Sequence, residues 1–368
     1  VRIGLLIWGS LERLTGGFLY DRMLAEHLRR QGHEVSVVAV PMRSYWRALL
    51  DNLSPRLLAR LREPGFDLLL QDELAHPSCV LLNRRLRRST AMPIVPIVHL
   101  LRVSQRWPWW QRPLYRRVER SYLASVHGLI LVNPQLRDRI AGLTGAELPS
   151  VVARPAGDHA AGTISAERIQ ARAREDPFRI LFIGNLTPLK NLHLVLDALA
   201  RVSAGGTDGW RLDVIGNLEV DPGYTRRIRR RIARAGLGER VRLRGEQPRA
   251  EVAARLERGH VLAMPSAPES YSIVYLEAMS WGLPVIASTM SDSSAMIEPG
   301  KNGFLVAGDA EALAGHLRGL MTDRERLARM GLAARRFYAA QPTWEESMEE
   351  VHQFLLRLYA AKPSDQSR

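Results

Sequence analysis

Residues 2–40 read RIGLLIWGSLERLTGGFLYDRMLAEHLRRQGHEVSVVAV. The opening RIGLLI is a short apolar run with the length of a buried strand. A polar loop ends in Thr15-Gly16-Gly17, and FLYDRMLAEHLRRQ then repeats apolar residues at helical spacing until Gly32 stops it. VSVVAV (35–40) is rich in β-branched residues and reads as a strand. Strand, glycine loop, helix, strand is a βαβ unit, and such units build parallel sheets covered on both faces. FDLLLQ (66–71), PIVPIVHL (93–100) and GLILVN (128–133) extend the same sheet.

The pattern restarts after a Gly/Ala-rich, then charged stretch. FRILFIG (178–184), the amphipathic NLHLVLDALARV (191–202), RLDVIG (211–216), RVRLRG (240–245), HVLAMP (260–265) and LPVIAS (283–288) give a second alternation of strands and helices. The expected architecture is α/β, with two Rossmann-like domains facing a ligand cleft at the strands' carboxyl ends. The expected divisions are an N-terminal domain over 1–155, a linker over 156–176 and a C-terminal domain over 177–342. A helix and tail follow over 343–368, the amphipathic TWEESMEEVHQFLLRLYAA (343–361) crossing back to the first domain.

A single cysteine, Cys79, excludes an internal disulfide, and no apolar run approaches the length of a membrane span. A cytoplasmic protein is the simplest expectation. The formal charge is +14, almost all from arginine, since the lysines are Lys190, Lys301 and Lys362. Residues 1–150 hold 22 Lys+Arg against 12 Asp+Glu, or +10, which suits an anionic partner. Nucleic acid fits poorly because no recognised binding module is present.

Residues 265–288 read PSAPESYSIVYLEAMSWGLPVIAS and place Glu269 and Glu277 in a segment that otherwise resembles protein interior. Pro265 and Pro268 bracket a loop, so Glu269 precedes the helix. Ser270 or Ser272 caps it, and Gly282 ends it before Pro284. The first-turn amides around Tyr271, Ser272, Ile273 and Val274 offer N–H donors and a positive dipole end to phosphate. Glu269 hangs beside that anion site, and Glu277 can accept hydrogen bonds from a diol such as a ribose edge. A sugar nucleotide has this order of parts: hexose, diphosphate, ribose.

These residues resemble the retaining glycosyltransferases of family 4 (glycosyl transferases group 1), which adopt the GT-B fold. The family pattern PS-x-x-E-x-(F/Y)-(G/S)-x-x-x-x-E-A-x-x-x-G-x-P-V is matched from Pro265 to Val285. GGFLYDRMLAEHLRRQGHEVSVVAV is similar to the family's glycine loop and first helix, GNLTPLKNLHLVLDAL to its phosphate loop, and GKNGFLVAGD (300–309) to the segment after its donor site. The resemblance implies that Gly16 and Gly17 approach the transferred sugar and that Lys190 reaches the diphosphate. It implies that Glu269 and His99 contact the sugar, that the amides from Tyr271 to Val274 hold phosphate, and that Glu277 binds ribose. It also implies that Gly245 lies where the nucleotide base meets backbone. The implied activity moves a hexose from a UDP- or GDP-sugar to an unidentified hydroxyl acceptor. Loss of the nucleotide develops charge that Lys190 and the helix amides can stabilise, so neither a cofactor nor a metal is expected.

The chain departs from the family at two places. Asn185 stands where the phosphate loop carries arginine, and Ser291-Asp292-Ser293-Ser294-Ala295 replaces a glycine-rich turn. The departures leave open a non-catalytic sugar-nucleotide-binding protein, and the fold alone leaves open an epimerase or hydrolase. Asp72, Glu73 and His76 follow the FDLLLQ strand and are expected on the acceptor side. Residues 99–123 interleave Trp107, Trp109 and Trp110 with Arg102, Arg106, Arg112, Arg116 and Arg117. That pattern suits either an anionic membrane face or aromatic packing within the acceptor domain.

Overall fold

The computed structural model describes residues 1–12, 15–105, 107–158, 162, 164–267 and 269–361. Arg106, Pro268 and the SDQSR tail lie outside them. The chain divides into two compact units, Val1–Pro155 with Pro342–Arg368, and Ala156–Gln341.

In the first unit, β1 (Arg2–Trp8), β2 (Glu34–Val40), β3 (Leu68–Asp72), β4 (Ile94–Val98), β5 (Leu129–Leu131) and β6 (Ser150–Val152) form a parallel sheet in the order β2-β1-β3-β4-β5-β6. Leu5 pairs with Val37 on one side and Leu70 on the other; β1, β3 and β4 are almost wholly buried, whereas the edge strand β2 has exposed positions between its buried ones. The strand order reverses between β1 and β3, so their carboxyl ends open a crevice there. The helix Gly16–Arg30 follows β1, and the final helix Trp344–Ala360 packs on it. That final helix opens on a full capping box, Thr343 with Glu346.

The second unit repeats the plan. β7 (Phe178–Ile183), β8 (Trp210–Ile215), β9 (Val241–Gly245), β10 (Val261–Ala263), β11 (Val285–Ser288) and β12 (Gly303–Val306) stand in the order β12-β11-β10-β7-β8-β9. Here the reversal lies between β7 and β10, with Leu181 beside Leu262. Two α/β units of parallel six-stranded sheets are thus present among the described residues.

Three local readings need correction. Gly16 and Gly17 belong to the first turn of the helix rather than to the loop before it. First-turn N–H groups have no intrahelical acceptor, so glycine costs little there. Asp72 is the last residue of β3 rather than its successor, held in the ladder beside Ile97. The strands β6 and β12 were not anticipated: each is short, with too few residues to show alternation.

Candidate functional site

The loop after β7 and the loop after β10 leave the second sheet at its switch point, and three contacts tie them together. Lys190, closing a short 3-10 turn at Pro188–Lys190, makes an ion pair with Glu269. Asn191, held in the left-handed region at φ 56°, donates from Nδ2 to the Pro265 carbonyl at 2.8 Å. The Ala267 amide donates to the Leu189 carbonyl at 2.9 Å. Ser266 Oγ adds a hydrogen bond to the Glu269 carboxylate at 3.1 Å.

Glu269 is anchored from behind as well. Its main-chain carbonyl accepts from the Asp292 amide at 2.9 Å and from Ser291 Oγ at 3.0 Å. Ser291 Oγ also accepts from the Ser293 amide, capping the 3-10 turn Asp292–Met296. Ser291, in the segment that replaces the glycine-rich turn, therefore has a definite task. With the Asp292 amide it holds the backbone that carries Glu269.

The helix runs Ile273–Ser280, with Ser272 at the N-cap making no side-chain capping bond. Tyr275, Leu276, Ala278 and Met279 are fully buried, whereas Tyr271, Val274, Glu277 and Trp281 are half-buried. Spacings of three and four residues put these four on one stripe. Glu277 is thus not a core carboxylate; it stands on the one partly open stripe of an otherwise interior helix. Tyr275 locks the helix to β10 by donating its hydroxyl to the Met264 carbonyl at 2.7 Å.

Asn185 Oδ1 accepts from the Asn217 amide at 3.1 Å, and Asn217 Nδ2 reaches Glu246 at 3.1 Å. Asn185 thereby ties the loop after β7 to the loop after β8. The two loops run so close that a Cβ on Gly216 would stand 2.2 Å from the Gly184 carbonyl oxygen. Gly245 ends β9 with φ +73°, and its carbonyl accepts from the Gly216 amide.

In the first unit, His99 lies one residue past β4 and its Nε2 faces Asp21 Oδ1 at 3.2 Å. Asp21 is fully buried in the helix Gly16–Arg30, and its Oδ2 has no hydrogen-bond partner. Burial works against charge on His99, but the bond to Asp21 and the charges of Asp21, Asp72 and Glu73 outweigh it and raise the pKa. Burial first, and the charge of Asp21 second, push Asp72 up to about 8. A Cβ on Gly17 would sit 3.5 Å from the His99 ring, an ordinary contact.

Asp72 and Glu73 are neighbours in sequence but serve different clusters. Asp72 joins Asp21 and His99, whereas Glu73 joins His76 and Glu119; ligand-type atoms in each trio lie within 4.8 Å of one another. His76 Nδ1 is 3.1 Å from Glu73, and its Nε2 is 3.2 Å from the Tyr45 hydroxyl. Glu119 accepts from the amides of Arg102 (2.6 Å) and Val103 (3.1 Å). Burial first, and the adjacent Glu73 second, push the Glu119 carboxyl up to about 9, so Glu119 keeps its proton at neutral pH. Glu73, His76, Tyr45, Trp8 and Arg102 line a cavity of about 240 Å³. Arg102 is no surface charge: its guanidinium sits 4.0 Å over the Trp107 ring, with Tyr45 and Tyr115 at 5.2 Å.

Residues 99–123 therefore divide. Trp107 packs inward and donates Nε1–H to the Arg102 carbonyl, while Trp109 is 81% and Trp110 61% exposed. Trp46 stacks on Tyr115 and is itself 44% exposed. No helix among the described residues is long and apolar enough to cross a membrane.

Asp21 and Glu119 were missed by sequence reasoning. Both left a signal. Asp21 shares a helical stripe with Leu24, Ala25 and Leu28, and Glu119 shares one with Tyr115, Tyr122 and Leu123, all buried.

Comparison with known proteins completes the picture. Residues 164–337, just under half of the chain, match the family model described as glycosyl transferases group 1. D-inositol 3-phosphate glycosyltransferase 1 of Catenulispora acidiphila is 28% identical over 245 residues, which are 63% of this chain and 58% of that protein. The chain spans about three-fifths of the length of the curated relatives it matches first. Among solved structures, sucrose-phosphate synthase of Thermosynechococcus elongatus superposes with a TM-score of 0.82 at 21% identity, covering 98% of this chain and 99% of that one. Anabaena HepE in complex with UDP-glucose gives 0.76 at 19%, covering 97% and 99%. At these identities the solved structures bear on the fold, and the fold is GT-B. Residues 164–337 are thus similar to glycosyl transferases group 1, and the chain shares its fold with solved glycosyltransferase structures.

Proposed function

We propose that the chain transfers a hexose from a nucleoside-diphosphate sugar to a hydroxyl acceptor, with retention of anomeric configuration and without a divalent metal. The observation that carries this reading is the Lys190–Glu269 pair at the switch point of the second sheet, beside the amino end of the helix that bears Glu277. Phosphate is held by the amides from Tyr271 to Val274 and by Lys190. As Lys190 turns to the diphosphate, the Glu269 carboxylate is released to accept from sugar hydroxyls. Glu277 takes the ribose diol, Gly245 lies by the base, and Asn185 keeps the phosphate loop in register.

In the transfer, the bond from the anomeric carbon to the diphosphate oxygen breaks, and the acceptor oxygen bonds to the same carbon from the same face. The acceptor's proton passes to the departing phosphate oxygen. Charge-assisted bonds from Lys190 and the amides stabilise the leaving group by roughly 1.5–3 kcal/mol each. In the first unit, His99, steadied by Asp21, contacts the sugar, and Gly16 and Gly17 leave room for it. Asp72, Glu73 and His76 belong to acceptor recognition. A UDP-sugar agrees with the ligand of Anabaena HepE, and a GDP-sugar fits the same groups. The relatives named for D-inositol 3-phosphate suggest an acceptor that is both hydroxylated and anionic, for which Glu73 and Arg102 in the 240 Å³ cavity are suitable partners. Trp109 and Trp110 beside Arg112, Arg116 and Arg117 fit an anionic membrane surface.

The test is incubation with UDP- and GDP-sugars and hydroxylated acceptors without divalent metal, with NMR of the product. A new glycoside of the donor's anomeric configuration supports the reading. Free sugar or an isomerised donor without acceptor would favour a hydrolase or epimerase. Nucleotide binding with no turnover would favour a non-catalytic binding protein.

A further inference from the structure

The first unit gathers three histidines and two glutamates where the final helix meets the first. His27, fully buried, stands 3.1 Å by its Nε2 from Glu349 Oε2. His352 Nδ1 stands 3.3 Å from the same oxygen. One ligand-type atom from each of the three residues lies within 4.8 Å of the others. A tetrahedral Zn²⁺ with bonds of about 2.0–2.1 Å sets neighbouring ligand atoms about 3.3 Å apart, so the two measured separations match edges of that tetrahedron.

The surroundings fit a metal equally well. A ligating histidine needs its other ring nitrogen oriented by an acceptor. His27 Nδ1 lies 3.3 Å from Glu345 Oε1, and Arg30 fixes that carboxylate from its other oxygen at 2.7 Å. His352 Nε2 lies 2.9 Å from His33 Nε2. Both ligand histidines therefore have a partner behind them. Glu349 and His352 are three residues apart on one helix face, and Glu349 is 41% exposed, which leaves a side open for entry and for a fourth ligand. His27 and Glu349 are 322 residues apart, a separation that conceals the site from motif reading.

We propose that His27, Glu349 and His352 form a binding site for a divalent transition metal of the zinc type, with Glu345 and His33 as supporting partners. The ion would cross-link the C-terminal helix Trp344–Ala360 to the helix Gly16–Arg30. This role is structural and independent of the proposed transfer reaction.

The test uses the full chain, stripped with a chelator, desalted and titrated with Zn²⁺. Expected are one retained Zn²⁺ per chain after gel filtration and a melting temperature that rises with added Zn²⁺. Glu349→Gln and His352→Gln should each weaken binding about tenfold or more. Glu349 is partly exposed and His352 is buried, so circular dichroism checks that each variant is folded; His316→Gln, in the second unit, should bind as wild type. No retained Zn²⁺, or equal retention and equal melting shifts in wild type and the two variants, would overturn the proposal and leave a set of polar contacts only.

Discussion

Lys190 and Glu269, 79 residues apart, close an ion pair across the two loops that leave the second sheet at its switch point. Neither side chain is sealed from water, with exposures of 26% and 20%. The pair is therefore worth little to stability but is well placed to exchange partners. Lys190→Ala should leave the melting temperature nearly unchanged while weakening nucleoside-diphosphate binding about 10- to 100-fold, the loss of one charge-assisted contact. Calorimetric titration of wild type and variant checks this, and equal affinities would remove Lys190 from the donor site.

Ser291 holds the Glu269 carbonyl and caps the following turn through one hydroxyl. Ser291→Ala should cost about 1 kcal/mol of stability, typical of a lost cap, and should lower donor affinity more than nucleotide affinity. Urea denaturation and paired titrations with nucleotide and sugar nucleotide separate the two effects.

Gly216→Ala should be far more damaging. The backbone sits at φ +141° and the new methyl would meet the Gly184 carbonyl oxygen at 2.2 Å. A loss of at least about 2 kcal/mol is expected, with the loop after β7 displaced. A melting curve within a degree or two of wild type would contradict the close approach.

Stability should fall as pH rises through the neutral range into the alkaline. Asp72 moves from its ordinary 3.8 up to about 8, and Glu119 from 4.5 up to about 9. Folded chains thus hold protons that unfolded chains have released, so this contribution is full below the ordinary values and is lost through pH 8–9. Urea midpoints at pH 6 and pH 9 should show the decline. Glu73→Gln, which removes the charge beside Glu119, should flatten it. Identical slopes in the two proteins would argue against Glu73 as a cause of the raised Glu119 carboxyl.

Trp109 and Trp110 should mediate contact with anionic lipid. Wild type should co-sediment with vesicles containing phosphatidylglycerol, and the Trp109→Ala, Trp110→Ala double variant should lose most of that binding. Equal binding to pure phosphatidylcholine would point away from a charged surface.

The placement of the second unit's candidate groups was legible in the sequence because its signals are local. Lys190 follows one strand, Glu269 follows another, and Glu277 sits at helical spacing from Tyr271 and Val274 on the half-buried stripe. The first unit was harder to read. His99 pairs with Asp21 across 78 residues, and Glu73 pairs with Glu119, so their partners could not be assigned from spacing. Asp72 and Glu73 read as one acidic group, yet they separate into two clusters because Asp72 ends a strand and Glu73 begins the turn after it. Arg102 read as one of several exposed arginines, but the backbone brings Tyr45, Trp107 and Tyr115 around it.

The most direct measurement is a thermal-shift panel of UDP, GDP, ADP and dTDP, with and without Mg²⁺, on wild type and Glu277→Ala. One nucleotide should stabilise the wild type selectively, equally well without Mg²⁺, and the shift should vanish in the variant. No shift with any nucleotide, or the same shift in Glu277→Ala, would contradict a donor site built on this helix.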